Sequence, residues 1–254
     1  MVANQKKNRA PLVDDKQYWK DRHAQRPDLK ASGLKSVGLK ANKYIYKILE
    51  DQYLKLLRGL DLSNVESVLD GGFGDGYFLR FYQKNFPSLK IFGVDISKDA
   101  KAKIDFLPKN RLYTSDLSSF SPKQRFDLVH SFDVMYHILD TGDYVRSLNN
   151  MAFLSNKYVI LHERFLKSAP LISSKHVRLR RSEFTDQILN SKGFFLIAEI
   201  PTHFFAARLL TYKLNKIAPV TLYKIDRYIS EKIHPSTQEF LASHHIRVYS
   251  KVKE

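Results

Sequence analysis

The run VLDGGFGDGYF, residues 68–78, constrains this chain more than any other feature. It places Gly71, Gly72, Gly74 and Gly76, four of the ten glycines, within six residues. The run sits between a strand-like and a helix-like segment. Glycines in that position let the backbone turn sharply, and they let a ligand approach the main chain with no Cβ in the way. An ordinary strand-to-helix turn does not need four of them.

Around this loop the chain alternates. Strand-like runs cover Ser67–Asp70, Leu89–Asp95, Asn110–Asp116, Arg125–Asp133, Lys157–Glu163, Phe194–Ile200 and His245–Val252. Helical spacing covers 76–86, 98–107 and 144–154, and a helix opening on a Ser182 cap runs to Gly193. Strand–helix alternation predicts an α/β fold with a seven-stranded, mostly parallel sheet covered on both faces. The last strand is expected antiparallel, with 201–243 inserted before it. Residues 65–254 read as one domain. Residues 1–64 read as a helical arm or lid: a mobile stretch with short helical pieces, then an amphipathic helix over 42–60 with Gly59 at its C-terminus.

The glycine spacing bears on the ligand. A dinucleotide fingerprint reads G-x-G-x-x-G, whereas here Gly72, Gly74 and Gly76 alternate and Asp70 stands just ahead. A carboxylate there suits a cationic or amine-bearing ligand better than a pyrophosphate. No G-K-[ST] follows, which argues against a nucleoside triphosphate. Asp95 ends the second strand, where a carboxylate can accept both hydroxyls of a ribose. Asp116 ends the third, where an acceptor can take an exocyclic amine. Three acidic residues at successive strand ends lie on the edge where open α/β sheets bind ligands.

With these residues in view, the sequence resembles the class I, Rossmann-like S-adenosylmethionine-dependent methyltransferases over about residues 65–200. VLDGGFGDG matches the D-x-G-x-G-x-G motif, GVD the acidic second-strand end, and YTSDL the adenine-side Asp. RFDLVHSFDVMYHI matches the fourth-strand segment and SEFTDQILNSKGFF the late helix and strand entry. SFDVMYHILD, SVGL and STQEF are similar to bacterial methyltransferases without an assigned substrate, some encoded among surface-polysaccharide genes. One departure is Gly71 and Phe73 around Gly72, where a small residue or Cys is more usual.

The resemblance implies S-adenosylmethionine as cofactor. Asp70 with the backbone of Gly72, Phe73, Gly74 and Gly76 would hold its methionine end. Asp95 would take the ribose and Ile96 would pack on the adenine. Asp116 and Leu117 would meet the adenine edge. Phe132 and Asp133 would lie nearest the sulfonium.

Methyl transfer from a sulfonium needs alignment and exclusion of water, and a base only where the acceptor keeps its proton. Asp133 and His137, four apart and expected on one helix face, are the catalytic candidates. His162 and Glu163 are further candidates, read as an exposed strand end. No H-E-x-x-H or similar spacing is present, so no metal is expected. Phe204, Phe205, Tyr212 and Tyr223 in the insertion, Arg178, Arg180 and Arg181, and Tyr18, Trp19 and Arg22 in the arm read as core aromatics and solvated cations taken singly. The arm and insertion as wholes read as an acceptor lid.

Charge completes the picture. The formal charge is +16, with +7 on 1–64, +1 on 65–165 and +8 on 166–254. The flanks are basic and the middle is neutral, which points to an anionic acceptor. Together with the family resemblance, the leading reading is a methyltransferase acting on a small-molecule or glycan-like acceptor at oxygen. A tRNA or rRNA methyltransferase is the alternative, but SFDV stands where base methylation would place N-P-P-Y, and no RNA-binding appendage is visible. A non-catalytic binder with this fold and a nicotinamide-dependent enzyme are the remaining readings. Residues 207–232 interleave leucines and lysines, which leaves peripheral membrane contact open. No Cys is present, which rules out disulfides and thiolate chemistry. No apolar run approaches the ~20 residues of a membrane span, and no secretory signal is visible, so a cytoplasmic location is expected. No feature sets an oligomeric state.

Overall fold

In the computed structural model, residues 13–26, 31–34, 37–166, 171–206 and 212–252 are described. The elements run α1 (Asp15–Gln25), α2 (Leu39–Gly59), β1 (Ser67–Gly71), α3 (Tyr77–Asn85), β2 (Lys90–Asp95), α4 (Lys98–Lys103) and β3 (Leu112–Thr114). They continue with β4 (Phe126–Phe132), α5 (Thr141–Leu154), β5 (Ser155–Glu163), β6 (Leu171–Ser174), β7 (Val177–Leu179), α6 (Ser182–Asn190) and β8 (Phe194–Thr202). Three helices follow, α7 (Tyr212–Ile217), α8 (Pro219–Lys232) and α9 (Pro235–Leu241), and then β9 (His244–Lys251).

The main sheet has the order β3-β2-β1-β4-β5-β9-β8. The pairs from β3 to β5 are parallel, while β9 is antiparallel to both β5 and β8. The seven expected strands therefore form the sheet. Their period of two divides the core. Val68, Leu128, Ile160 and Val248 face α2, α3 and α4, and Leu69, Val129, Leu161 and Tyr249 face α5 and α6.

The strand order reverses between β1 and β4, so the C-terminal ends of β1, β2 and β4 border a crevice. The glycine loop leaves β1 into that crevice, and β4 ends there at Phe132.

Several local expectations change. Helix α4 stops at Lys103 and β3 spans only three residues. Gly59 closes α2, but Leu60 caps it in an extended conformation and Gly59 does not turn left-handed. Ser182 is the first residue of α6 and gives it no side-chain cap; Gly193, at φ +79, does end that unit. The hairpin β6–β7 was not expected. Residues 15–25 form a docked helix, capped by Asp14, whose side chain accepts from Gln17 N. The expected mobility of the first twelve residues lies outside the described residues.

Candidate functional site

A cleft opens at the crevice, about 1020 Å³ of empty space counted out through its open mouth. Of the sequence-nominated residues, Asp70, Gly72, Phe73, Gly74, Asp95, Ile96, Asp116, Leu117, Phe132, Asp133 and His137 all line it. Gly76 does not. It caps α3 with φ +78 and faces Ile104.

The loop is built by backbone constraint. Gly72 has φ +84 and Gly74 has φ +56, conformations that cost an ordinary residue energy. A Cβ on Gly72 would collide with Val134, and one on Gly74 with the Ser32 hydroxyl of the arm. Gly72 N–H donates to Val94 O at 2.7 Å. Gly74 N–H donates to Asp95 Oδ2 at 2.9 Å, and Ser97 N–H donates to Asp95 Oδ1 at 2.8 Å. Asp95 thus ties the loop to the end of β2.

Six carboxylates, Asp15, Asp70, Asp75, Asp95, Asp116 and Asp133, line the cleft against one lysine, Lys16. Burial pushes the Asp70 carboxyl well above its ordinary value, and Asp95 and Asp75 add to the rise. Its ionic neighbour among the described residues is His130 Nε2 at 3.8 Å. Burial in turn holds His130 down to about 3, so that ring is neutral and offers no charge. A buried carboxylate without a cation is a place for a ligand ammonium. Burial also raises Asp95.

The arm closes the cleft from above. Asp15 Oδ2 accepts from Leu139 N at 2.8 Å. Lys16 pairs with Asp116 and, at 3.0 Å, with Asp143. Lys103 Nζ donates to the carbonyls of His23 and Arg26. The Trp19 ring lies 4.5 Å from that of His137, and its buried indole N–H finds no partner among the described residues. Asp15, Lys16, His23, Ser32, Tyr46 and Tyr77 also line the cleft, and sequence reasoning missed them. For Asp15, Lys16 and His23 the signal was weak, because the short polar α1 has no strong periodicity, while Tyr46 and Tyr77 sit on α2 and α3 among aromatics that pack as core. Only Tyr18, Trp19 and Arg22 stood out. Arg22 is buried, donates to Gly33 O and lies 4.9 Å from the Trp19 ring.

Asp133 and His137 both reach the cleft, but they do not share a helix face. Asp133 takes φ +58, which breaks the chain direction, and Met135–His137 form a single 3₁₀ turn. His137 Nδ1 donates to His176 O at 2.7 Å, and burial pushes the ring down to about 3. It is neutral at pH 7. Asp133 Oδ1 accepts from Tyr136 OH at 3.1 Å and lies 3.0 Å from His162 Nδ1. Burial works against ionisation there, but the His162 ring beside it holds the carboxyl well below the usual range.

His162 and Glu163 are buried, contrary to the exposed strand end expected, because β9 pairs alongside β5 to its last residue. Burial pushes Glu163 up to about 8. His244 stacks on His162, and His245 turns the other way to Glu239. Two of the three arginines before α6 are not solvated cations. Arg178 donates to Leu139 O at 2.9 Å, and buried Arg180 donates to Ile138 O at 2.8 Å and lies over Tyr144. Arg181 is exposed and pairs with Glu183. Phe204 is buried, and Phe205 and Tyr223 pack on the α2–α8 cluster; Tyr212's side chain lies outside the described residues. No described residue of 201–243 lines the cleft. Among the described residues, no group of three or more His, Cys, Asp or Glu is arranged to hold a metal, and no helix is long and apolar enough to cross a membrane.

A family model described as a methyltransferase domain matches residues 41–209. Malonyl-[acyl-carrier protein] O-methyltransferase 1 of Ilyobacter polytropus is 25% identical over 149 residues, covering 52% of this chain and 54% of that protein. The chain thus spans about half the length of the curated relative it matches. Among solved structures, magnesium protoporphyrin IX methyltransferase from Synechocystis with bound S-adenosylmethionine aligns with a TM-score of 0.57 at 15% identity. That alignment covers 96% of this chain and 100% of that one. The O-methyltransferase from a trans-AT PKS multienzyme of Brevibacillus brevis, in complex with S-adenosylhomocysteine, aligns with a TM-score of 0.57 at 17% identity, covering 78% and 70%. An N-methyltransferase from Bradyrhizobium japonicum, also with S-adenosylhomocysteine, gives 0.55 at 13% identity, covering 95% and 100%. At these identities the likeness is one of fold.

Proposed function

The chain belongs to the methyltransferase-domain family, and we propose that it moves the methyl group of S-adenosylmethionine to an oxygen of a small-molecule or glycan-like, anionic acceptor in the cytoplasm. One observation carries the cofactor half. The glycine loop and the ends of β1, β2 and β4 converge on a cleft lined by six carboxylates, one of them a buried acid without a cation. S-adenosylmethionine brings an ammonium and a sulfonium, so its charge fits that lining.

In this reading Asp70 and the Gly72–Gly74 backbone hold the methionine end. Asp95 takes the ribose hydroxyls, Ile96 and Leu117 pack on the adenine, and Asp116 faces its edge. Phe132 and Asp133 flank the reacting centre. The bound cofactor supplies an activated methyl group on sulfur. The chain's own residues align and enclose it. Trp19 and the rest of α1 cover the cleft and exclude water, while Asp133 and His137 face the acceptor.

In this reading the described part of the 1–64 arm is the lid, and α8 of the 201–243 insertion backs it, with Leu222 in one cluster with Ile45 and Ile48 of α2. A second groove supports an anionic acceptor. Lys43, Lys47 and Arg80 line it with Tyr44, and it shares Asp75 and Tyr77 with the cleft. Relatives that act on malonyl-[acyl-carrier protein] and on magnesium protoporphyrin IX are consistent with a carboxyl-bearing acceptor.

Calorimetry with S-adenosylmethionine, S-adenosylhomocysteine and NADH tests the reading. Binding of both sulfur nucleosides, weakened at least about tenfold by Asp95→Ala, is expected, since charge-assisted hydrogen bonds contribute about 1.5–3 kcal/mol each. Binding of NADH with no response to either nucleoside would refute it.

A further inference from the structure

Helices α7, α8 and α9 carry an outward surface that the fold does not cover. Five large apolar side chains stand exposed on it: Leu214, Ile217, Ile225, Tyr228 and Phe240. Ile217 is 78% exposed and Phe240 is 83% exposed. A single exposed apolar residue is ordinary, but five on three consecutive helices mark a surface with a use.

The pattern along α8 is helical. Leu222, Asp226, Ile229 and Ser230 are buried, and Leu222 belongs to the cluster with Ile45 and Ile48 of α2. Thr221, Lys224, Ile225, Tyr228 and Lys232 recur at helical spacing and are all exposed. The inner face of α8 therefore packs on α2, while its outer face mixes apolar and cationic side chains. Helix α7 repeats the mixture with Lys213, Leu214, Lys216 and Ile217 exposed, while Asn215 turns inward and donates to Ala206 O. Ala218 alone separates the two helices. Gln238 Nε2 donates to Ile233 O at 2.7 Å and so ties α9, with Phe240, to the end of α8.

Charge decides what this surface fits. Lys213, Lys216, Lys224, Arg227 and Lys232 are all exposed. The carboxylates of the same helices are engaged elsewhere. Asp226 is buried and accepts from the N–H groups of Phe204, Phe205 and Ala206 at 3.1, 2.8 and 3.2 Å. Glu231 pairs with Arg227 at 2.7 Å, and Glu239 with His245 at 3.0 Å. Lys213 and Lys224 pair with no carboxylate among the described residues. An anionic bilayer takes both halves of such a surface. Apolar side chains enter the acyl boundary, lysine stems lie beside them with the ammonium among headgroup phosphates, and tyrosine suits the headgroup level. A soluble polyanion would use the lysines and leave Ile217 and Phe240 in water. An apolar protein partner would have to strip water from the lysines.

We propose that α7, α8 and the Phe240 end of α9 form a docking surface for an anionic lipid bilayer. Among the described residues no helix is long and apolar enough to cross a membrane, so these helices lie on its surface. The docked element also reaches the site. The ring of Tyr223 on α8 lies 5.4 Å from that of Tyr44, which lines the basic groove beside the cleft with Lys43, Lys47 and Arg80.

Co-sedimentation of the full chain with vesicles of phosphatidylcholine, alone or mixed with phosphatidylglycerol, tests the proposal. The wild type is expected to bind the mixed vesicles and to bind the neutral ones far more weakly. A chain of charge +16 is attracted to any anionic surface, so the variants locate the contact. Ile217→Ser with Tyr228→Ser keeps every charge and is expected to weaken binding at least about tenfold. Lys213→Ala with Lys224→Ala should weaken it about fivefold per lysine. Lys192→Ala with Lys251→Ala removes the same charge from another groove, beside Arg125 and Phe153, and should weaken it less. Far-UV circular dichroism checks that each variant is folded. Should the Ile217 and Tyr228 variant fail to fold, Phe240→Ser takes its place with a loss in the same direction. Three outcomes overturn the proposal: no binding by the wild type, unchanged binding after the apolar substitutions, or a Lys192 and Lys251 loss as large as that of Lys213 and Lys224. Retention on heparin without vesicle binding assigns the charge to a soluble polyanion and overturns it as well.

Discussion

Gly72→Ala tests how the loop is built. At φ +84 an alanine meets the left-handed penalty of roughly 1–2 kcal/mol. Its methyl also strikes Val134, whose Cγ1 lies 3.0 Å and Cβ 3.2 Å from the ideal Cβ position. Overpacking of this kind costs typically about 1–3 kcal/mol. The two terms together give about 2–5 kcal/mol, within the 5–15 kcal/mol stability usual for a domain, so the variant should still fold. For a chain of this size the melting temperature should fall by roughly 4–20 °C. Val134→Ala removes both γ-carbons, so the double variant should recover the steric part and keep the backbone part. Urea unfolding of wild type, both single variants and the double variant reads the cycle. Calorimetry should show a parallel loss of S-adenosylmethionine affinity of at least about tenfold, because the methyl displaces the wall of the cleft. An unchanged Gly72→Ala midpoint would refute the reasoning, as would complete rescue by Val134→Ala, which would leave no backbone term.

Three further outcomes follow from the geometry. Lys16→Ala removes the ion pairs of Lys16 with Asp116 and Asp143, each partly exposed and contributing about 0.2–1 kcal/mol. Stability should hardly change, but Trp19, the sole tryptophan, should move away from His137, and a fluorescence spectrum identical to wild type would show that Lys16 does not hold α1 over the cleft. Glu163 is raised from 4.5 to about 8, so its contribution to stability is full below its unfolded value and is lost as pH rises toward 8. Glu163→Gln should therefore gain on wild type between pH 5 and 8 by up to about 1.4 kcal/mol per pH unit, and parallel urea midpoints across that range would refute the assignment. Asp186→Asn withdraws the carboxylate that Arg247 grips at 2.8 and 3.1 Å, leaving Glu199 at 3.3 Å as partial compensation. A loss of about 3 kcal/mol in urea is expected, at the low end for a broken buried pair, and no loss would mean that Glu199 suffices.

The parts of this fold written in local pattern were legible. The strand periods, the glycine loop and the carboxylates at the ends of β1, β2 and β3 all rest on short-range signals, and they place Asp70, Asp95 and Asp116 around one cleft. The remaining parts depend on pairings distant in sequence. Helix α1 is polar all round, and its place is set by Asp15, Lys16 and Trp19 meeting residues more than a hundred positions away. His162, His203 and His244 become neighbours only because β8 and β9 end beside β5. The β6–β7 hairpin is too short to show a period. Gly59 marks the end of α2 as its sequence position suggested, although the exit runs through an extended Leu60 and not through a left-handed glycine.

The position of β9 bears on how the chain folds as it is made. This strand, the last described, fills the gap between β5 and β8. Until it arrives, β5 presents an open edge carrying Tyr158, Val159, Ile160 and Leu161, and β8 has no partner. Unpaired apolar edges of that kind recruit other chains. Closure is also a long-range event, joining residue 247 to residue 161. The growing chain therefore exposes a sticky seam until β9 has been made and has paired. The same late arrival brings His244 to His162, so the site is finished at the moment the sheet is sealed.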